Sequence, residues 1–345
     1  MRIAIATVQV PFVRGGAEGL AEGLKCACIE AGHEADIVTL PFWREPLEDL
    51  EGLMDSWERV RPANFWMAPD RVITLKFPAY LAPFGAQSIW LLHQFREVYD
   101  LADAQRCTSD AAFRDLKARI VESDKRVLGD AARARKLFTI AGNVSRRLRE
   151  DSGIEAPALY HPPPGHAEIY TQGYEPVIFA PSRLESLKRQ DLLIEAMALT
   201  RSPVMAVIAG DGTMRERYAR RIEELNIAWK VRLLGAISRE EMLGWYANAL
   251  GVFFCPRDED YGYVTLEAML AAKPVITCTD SGGPLEFVVD GETGCVCEPH
   301  PQAIADAIDV LAADATLAQA MGRAGKAAFL AKNIGWAHVI EKLVR

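Results

Sequence analysis

Twice along its 345 residues this sequence runs through the same rhythm of a strand-length apolar run followed by a helix-length amphipathic stretch. In the first half the apolar runs are Ile3–Val8, Glu34–Leu40, Arg71–Leu75, Ser88–Leu92 and Leu137–Ala141, with helical stretches notably at Ala17–Ala31 and Thr108–Leu128. In the second half they are Val177–Ala180, Val204–Ala209, Val231–Leu234, Gly251–Cys255 and Pro274–Thr277. Helices are expected there at Arg189–Leu199, Met214–Leu225, Arg239–Ala247, Tyr263–Ala272 and Gln302–Ala312. Strands separated by helix-length segments imply parallel βαβ units. Between the halves, Ala156–Pro176 carries His161-Pro162-Pro163-Pro164-Gly165 and no apolar period. Consecutive prolines remove backbone donors and hold the chain extended, so this is where one domain is expected to hand over to the next.

The length suits two domains of about 150 residues each. The expectation is an α/β protein of two Rossmann-like doubly wound domains: 1–160, a linker over 161–176, 177–328, and a closing segment 329–345. In that last segment Trp336, Val339, Ile340 and Leu343 share one helical face. No repeat of about 20–50 residues is visible, which excludes a solenoid. In open parallel sheets ligands sit outside the carboxyl ends of the strands. Two such sheets facing a central cleft would put the ligand there, so the turns after strands are the places to look.

Composition narrows the function. The net charge of −8 argues against nucleic acid as a partner. The charge is uneven: Arg114 to Arg149 holds eleven Lys or Arg against four Asp or Glu. That stretch is either a set of solvated helix faces or a surface that meets anionic lipid or an anionic acceptor. The seven cysteines are irregularly spaced and form no C-x-x-C pair. Cys255, Cys278 and Cys295 sit in apolar runs, as small core residues kept reduced. The N-terminal MRIAIATVQVPF reads as a first strand without a cleavage site. No apolar stretch approaches the roughly 18 residues of a membrane span. A cytoplasmic protein, at most peripheral on a membrane's inner face, is expected.

Three turns carry chemistry. The first holds Gly15-Gly16 between a strand and a helix, where close backbone approach and helix-start amides suit an anion; a plain structural turn reads equally well. The second holds Arg183 just past a strand and Lys188 at the start of the next helix. Two cations there can grip a diphosphate from two directions; ordinary surface charge at a helix start reads equally well. The third runs from Glu259 to Glu267, with seven residues between the two carboxylates. Glu259 falls in the loop, Glu267 on the first turns of a helix, and Gly262 lets the loop turn. The amides of Tyr263, Val264 and Thr265 face out at the helix start and suit a phosphate, while carboxylates suit paired sugar or ribose hydroxyls. His93, after an apolar strand, is by itself a structural histidine.

This third segment, E-D-Y-G-Y-V-T-L-E-A-M, resembles the E-x-F-G-x-x-x-L-E-A-M signature of glycosyltransferase family 4, the glycosyl transferases group 1, which are retaining enzymes of the GT-B fold. Gly210-Asp211-Gly212, Val231–Gly235, Lys273-Pro274-Val275-Ile276, Gly282-Gly283 with Glu286, and Asp290-Gly291-Glu292-Thr293-Gly294 resemble further elements of the family. The likeness covers nearly all of 177–345 and is thinner before it, at Gly15-Gly16 with Glu18 and at His93. This chain departs in having Tyr261 for the usual Phe, and Ala271-Ala272-Lys273 where the family often has Cys-Gly before Pro274.

The resemblance implies roles by position. Glu259 would bind hydroxyls of the donor sugar and Glu267 the ribose. Arg183 and Lys188 would hold the diphosphate, with amides near Val264 and Thr265. Gly15 and Gly16 would approach the phosphates and acceptor side, and His93 the donor sugar. A last helix crossing back to the first domain is also implied. The reaction would move a sugar from a nucleotide diphosphate sugar (UDP- or GDP-linked) to an acceptor hydroxyl with retention, in lipopolysaccharide, capsule or other glycoconjugate synthesis. The acceptor would be a glycan or lipid-linked molecule. No cofactor is expected, and Asp258-x-Asp260 is not expected to hold a metal. A GT-B epimerase would need further acid/base groups in the first domain. A non-catalytic sugar-nucleotide-binding partner is opposed by the full set of Arg183, Lys188, Glu259 and Glu267. A dehydrogenase lacks its G-x-G-x-x-G turn.

Overall fold

The computed structural model describes residues 1–12, 15–43, 46–102 and 109–345. Val13 and Arg14 of the first turn, Cys107, and Thr108 at the expected start of a helix lie outside them. The chain divides into two compact units, one of Met1–Pro164 with Gly335–Arg345 and one of Gly165–Ile334.

The first unit is built on β1 (Arg2–Gln9), β2 (Glu34–Pro41), β3 (Arg71–Thr74), β4 (Gln87–Leu91) and β5 (Leu137–Thr139), all parallel in the order β2-β1-β3-β4-β5. Between them run α1 (Gly16–Glu30), α2 (Leu47–Arg59) and α3 (Ala111–Arg133), and α4 (Gly142–Ser152) follows β5. β1 is buried on both faces by Ile3, Ala4, Ile5, Ala6 and Val8, the near-continuous apolar reading of a covered parallel strand. α2 buries Leu50, Met54 and Trp57 at i, i+4 and i+7, each worth about 2–3 kcal/mol of burial.

The first unit also runs beyond residue 160. Ala158 pairs in parallel with Thr139, and Leu159 N–H donates to Thr139 O at 2.8 Å, so this stretch extends the edge beside β5 instead of serving as linker. His161 is buried with its ring against Trp90 (4.9 Å) and Trp336 (5.8 Å), and burial drives its pKa down to about 3.

The second unit is a six-stranded parallel sheet, in the order β11-β10-β9-β6-β7-β8. Its strands are β6 (Glu175–Pro181), β7 (Met205–Ala209), β8 (Val231–Gly235), β9 (Ala249–Phe253), β10 (Val275–Cys278) and β11 (Gly294–Cys297). Its helices are α5 (Gln190–Leu199), α6 (Arg215–Glu224), α7 (Arg239–Asn248), α8 (Tyr263–Leu270), α9 (Pro301–Ala313) and α10 (Ala315–Ala331). β9 starts two residues earlier than the apolar run suggested, which leaves Cys255 just past the strand. Cys255 and Cys278 are buried, whereas Cys295 is only half-buried. Ala272, in the stretch where the resembled family often has glycine, sits at φ 54 in the left-handed region.

The last helix, α11 (Trp336–Val344), belongs to the first unit. Val339 and Leu343 are fully buried there, and Ser88 Oγ donates to Leu343 O at 2.8 Å. Gly23 makes room for it: a Cβ there would lie 2.7 Å from the Trp336 ring. Among the described residues, no helix is long and apolar enough to cross a membrane.

Candidate functional site

In the second unit the chain goes from β6 out to β7 and β8, then returns to lay β9 on the other side of β6. The strand order reverses between β6 and β9, and a ligand crevice forms at the carboxyl ends of two strands that diverge in this way. The two loops that leave there carry Arg183 with Lys188 and Glu259 with Gly262.

Glycine backbones press the β6 loop into place. Gly210 has φ +135, and a Cβ on it would sit 1.9 Å from Ser182 O; Gly212 has φ +157, and its Cβ would sit 2.5 Å from Leu184 O. Only glycine permits both the angle and the approach. Leu184 N–H donates to Asp211 O at 2.9 Å, and Gln190 Nε2 holds Ser182 Oγ (2.7 Å) and Arg183 O (3.0 Å). The Arg183 side chain is left exposed. Lys188 does not open the helix, as the sequence suggested. It ends a 3-10 turn over Ser186–Lys188, and α5 starts two residues on, because Arg189 breaks the run at φ 53.

Lys188 Nζ reaches Glu259 Oε2 at 2.5 Å, with the two side chains 18% and 22% exposed. Two residues 71 apart in sequence thus form one ion pair at the crevice. The Glu259 backbone is fixed independently of its side chain. Its N–H donates to Ser281 O at 2.9 Å, and its carbonyl accepts from Gly283 N at 2.8 Å. A Cβ on Gly283 would meet Tyr261 O at 2.7 Å. Gly262 then turns the chain into α8 at φ +86.

The helix start differs in one respect from the expectation. Thr265 N–H donates to Gly262 O at 3.0 Å and closes the first turn, so its amide is spent. Val264, the second helical residue, stands ahead of the first i→i−4 bond. The Thr265 hydroxyl is buried and has no partner among the described residues.

Glu267 lies one turn further along α8, 8% exposed. Tyr246 OH donates to its Oε2 at 2.7 Å and Arg239 Nη1 to its Oε1 at 3.4 Å. Burial pushes its carboxyl above the usual range, against the pull of Tyr246 and Arg239. Sequence reasoning missed both partners, and it missed Arg189. The Arg189 guanidinium ties Cys255 O (2.7 Å), Pro256 O (2.9 Å) and the Asp280 carboxylate (2.6 and 2.8 Å) together, clamping the β6, β9 and β10 loops. Its hydrogen bonds hold the Asp280 carboxyl below its ordinary value. Asp258 and Asp260 stand in this loop. Among the described residues, no group of three or more His, Cys, Asp or Glu is placed to hold a metal ion.

The first unit reverses its strand order between β1 and β3, and Gly15-Gly16 follows β1. Both glycines are exposed. Gly15 N–H already donates to Glu18 Oε2 at 2.8 Å, so one of the two amides expected to meet a phosphate is engaged. His93 follows β4 and is half-buried; its Nδ1 lies 2.6 Å from Gln94 O. A carbonyl only accepts, so Nδ1 carries a proton and Nε2 is left for another partner.

Behind His93, Gln94 is buried and its Nε2 donates to Ser152 Oγ at 3.1 Å and to Asp124 Oδ2 at 3.5 Å. Asp124 also accepts from Tyr80 OH (2.6 Å) and Tyr99 OH (2.8 Å). Burial raises the Asp124 carboxyl from 3.8 to about 6, although all three donors oppose the shift. A carboxyl raised in the folded state adds stability that is complete below about pH 4 and is lost as pH rises through 6. The swing is on the order of 3 kcal/mol. Asp124→Asn is expected to flatten the melting temperature of the first unit between pH 4 and 7 relative to wild type, as followed by calorimetry.

The basic stretch Arg114–Arg149 is partly neutralised from α2. Arg119 pairs with Asp55 and Glu58, and Arg126 lies 3.9 Å from Glu58.

Comparison with known proteins agrees with this fold. Residues 167–328 match the family described as "Glycosyl transferases group 1". The chain is 26% identical to a GDP-mannose-dependent alpha-(1-6)-phosphatidylinositol monomannoside mannosyltransferase of Mycolicibacterium smegmatis, over 93% of this chain and 92% of that one. It is 27% identical to a D-inositol 3-phosphate glycosyltransferase of Nocardia farcinica, over 97% and 77%. Among solved structures it resembles sucrose-phosphate synthase from Thermosynechococcus elongatus (TM-score 0.80, 18% identity, 99% and 96% covered). It also resembles Anabaena HepE in complex with UDP and glucose (TM-score 0.71, 16% identity, 100% and 98% covered). The fold is thus that of the two-domain GT-B glycosyltransferases; residues 167–328, a little under half of the chain, match the glycosyl transferases group 1, and the chain is a glycosyltransferase.

Proposed function

We propose that this enzyme transfers a sugar from a nucleotide diphosphate sugar to an acceptor hydroxyl with retention of configuration, as a family 4 member in glycoconjugate synthesis such as lipopolysaccharide or capsule. The observation that carries this reading is the Lys188–Glu259 ion pair at the strand-order reversal, with the α8 helix start beside it. Glu259 accepts hydroxyls of the donor sugar. Lys188 turns from it to the diphosphate, joined by Arg183 and by the amides of Tyr263 and Val264. Fixed donors aimed at the departing oxygen stabilise the charge that develops as the glycosidic bond breaks. Glu267 receives the ribose. In the first unit, His93 Nε2 serves the donor sugar and the Gly16 amide faces the phosphates, Gly15 being held by Glu18. The positive charge on Lys188 and Arg183 lets the reaction run without a metal.

One relative named above has GDP-mannose in its name and both have inositol, which favours a GDP-sugar and a lipid-linked or polyol acceptor as the first to try. A peripheral hold on an anionic inner membrane surface through Arg114–Arg149 suits such an acceptor. The test is slow donor hydrolysis by the purified protein across UDP-, GDP- and ADP-sugars, with NMR of the released anomer. Retained configuration from one nucleotide class is expected. Release of the inverted sugar alone, or no turnover of any donor, sinks the assignment.

A further inference from the structure

Arg239 opens α7, a place where a cation works against the helix dipole. The helix start is fixed by its cap: Glu241 N–H donates to Ser238 Oγ at 3.2 Å, and Ser238 N–H to Glu241 Oε2 at 2.8 Å. The guanidinium is offset by three acceptors from two separate segments. Nη1 reaches Glu267 Oε1 at 3.4 Å, Nε reaches Glu168 Oε2 at 3.3 Å, and Nη2 reaches Gly165 O at 3.1 Å. Gly165 is left bare where the arginine arrives: it has φ +64, and a Cβ there would lie 2.8 Å from Nη2. Of the two carboxylates, Glu168 is 59% exposed and Glu267 11%, so the buried one depends more on this partner.

We propose that Arg239 is a positioning residue for the donor nucleotide, holding Glu267 Oε1 as Tyr246 holds Oε2, so that each oxygen keeps one lone pair for one hydroxyl of the ribose diol. The inference rests on the donor-site reading of Glu267. A carboxylate offers about two lone-pair sites on each oxygen. One on each is taken by Arg239 and Tyr246, and the two that remain match two neighbouring hydroxyls. Turning the carboxylate about its last bond would break both holds at once. The same two groups oppose the upward push of burial on the Glu267 carboxyl. Tyr263, the other titratable group that faces it, is itself driven up by burial and by the charge on Glu267, and stays neutral. Without Arg239 the carboxyl takes up a proton more readily, and a protonated oxygen no longer accepts as a carboxylate does. Glu168 draws the same guanidinium outward, so the segment that enters this unit has a direct line to the ribose carboxylate.

The test is calorimetric binding of GDP, UDP and their 2′-deoxy forms to the intact protein, from about pH 5 to 8. Wild type, Arg239→Ala, Arg239→Lys and Glu267→Gln are compared. Arg239→Ala is expected to weaken the better-bound ribonucleotide about 10-fold, with the deficit growing as pH falls. Arg239→Lys should recover part of that loss. With the 2′-deoxy form the difference between wild type and Arg239→Ala should shrink to less than about 2-fold. A loss that is independent of pH and equal for both sugars overturns the inference, because a merely structural arginine gives that result. Unchanged binding in Arg239→Ala while Glu267→Gln is weakened overturns it alone. Unchanged binding in Glu267→Gln overturns the reading beneath it. If Arg239→Ala does not fold, Arg239→Lys carries the same contrasts with pH and with the deoxy sugar.

Discussion

Replacing Glu259 with alanine is expected to lower sugar transfer by about 10³-fold while the protein melts within a few degrees of wild type. The two halves of that expectation have separate causes. The Glu259 backbone is held by Ser281 O and Gly283 N, and neither bond involves its side chain, so the loop keeps its course. The lost Lys188 pair is part-exposed on both sides and contributes little to folding, about 1 kcal/mol or less. Transfer is more sensitive, because the carboxylate is the acceptor proposed for the donor sugar and the counter-charge that aims Lys188. The loss corresponds to about 4 kcal/mol of barrier. Steady-state kcat and a thermal melt on the same preparation check both halves. Full activity in a folded Glu259→Ala protein removes Glu259 from the site.

The second large effect is on stability and arises where two loops touch. Gly210→Ala is expected to cost the second unit about 3 kcal/mol and to weaken nucleotide binding with it. At φ +135 an alanine is strained before any contact is counted, and its methyl would also overlap Ser182 O. The β6 loop must therefore move, and Arg183 moves with it. Gly244→Ala supplies the contrast. That glycine lies inside α7 with nothing within 4 Å of an added methyl, so alanine there is expected to add about 1 kcal/mol. Urea midpoints of the two variants should move in opposite directions. A Gly210→Ala protein as stable as wild type contradicts the packing described here.

The pattern of success from sequence follows from how far each signal travels along the chain. The alternating apolar runs located ten of the eleven strands among the described residues, because each strand is a local apolar stretch. β11 is not marked in this way because Gly-Cys-Val-Cys is only four residues long and opens on a glycine, and its only flag is the turn around Gly291. α2 is readable in principle from Leu50, Met54 and Trp57, but Gly52 and the two acids Glu51 and Asp55 between them break the apolar outline. The Glu259–Glu267 segment was legible since one strand–loop–helix turn carries both carboxylates. Their partners were not. Tyr246, Arg239, Arg189 and Asp280 come from other turns, and only the sheet order brings them there. The engaged amides of Gly15 and Thr265 were equally hidden, since a hydrogen bond taken by a neighbour leaves no mark in residue type.

The way α11 is shared out has a consequence for synthesis. The second unit is one unbroken stretch, Gly165–Ile334, and has everything it needs once those residues have left the ribosome. The first unit begins earlier and finishes later. The Trp336 ring that fills the space at Gly23, and the Leu343 carbonyl that receives Ser88, are made only after the whole second unit. The earlier-born domain is therefore the later to mature, and it waits with a bare apolar seam along α1 and β4 while its neighbour folds. Chaperone occupancy on translating ribosomes should persist on that seam until residues 335–345 emerge.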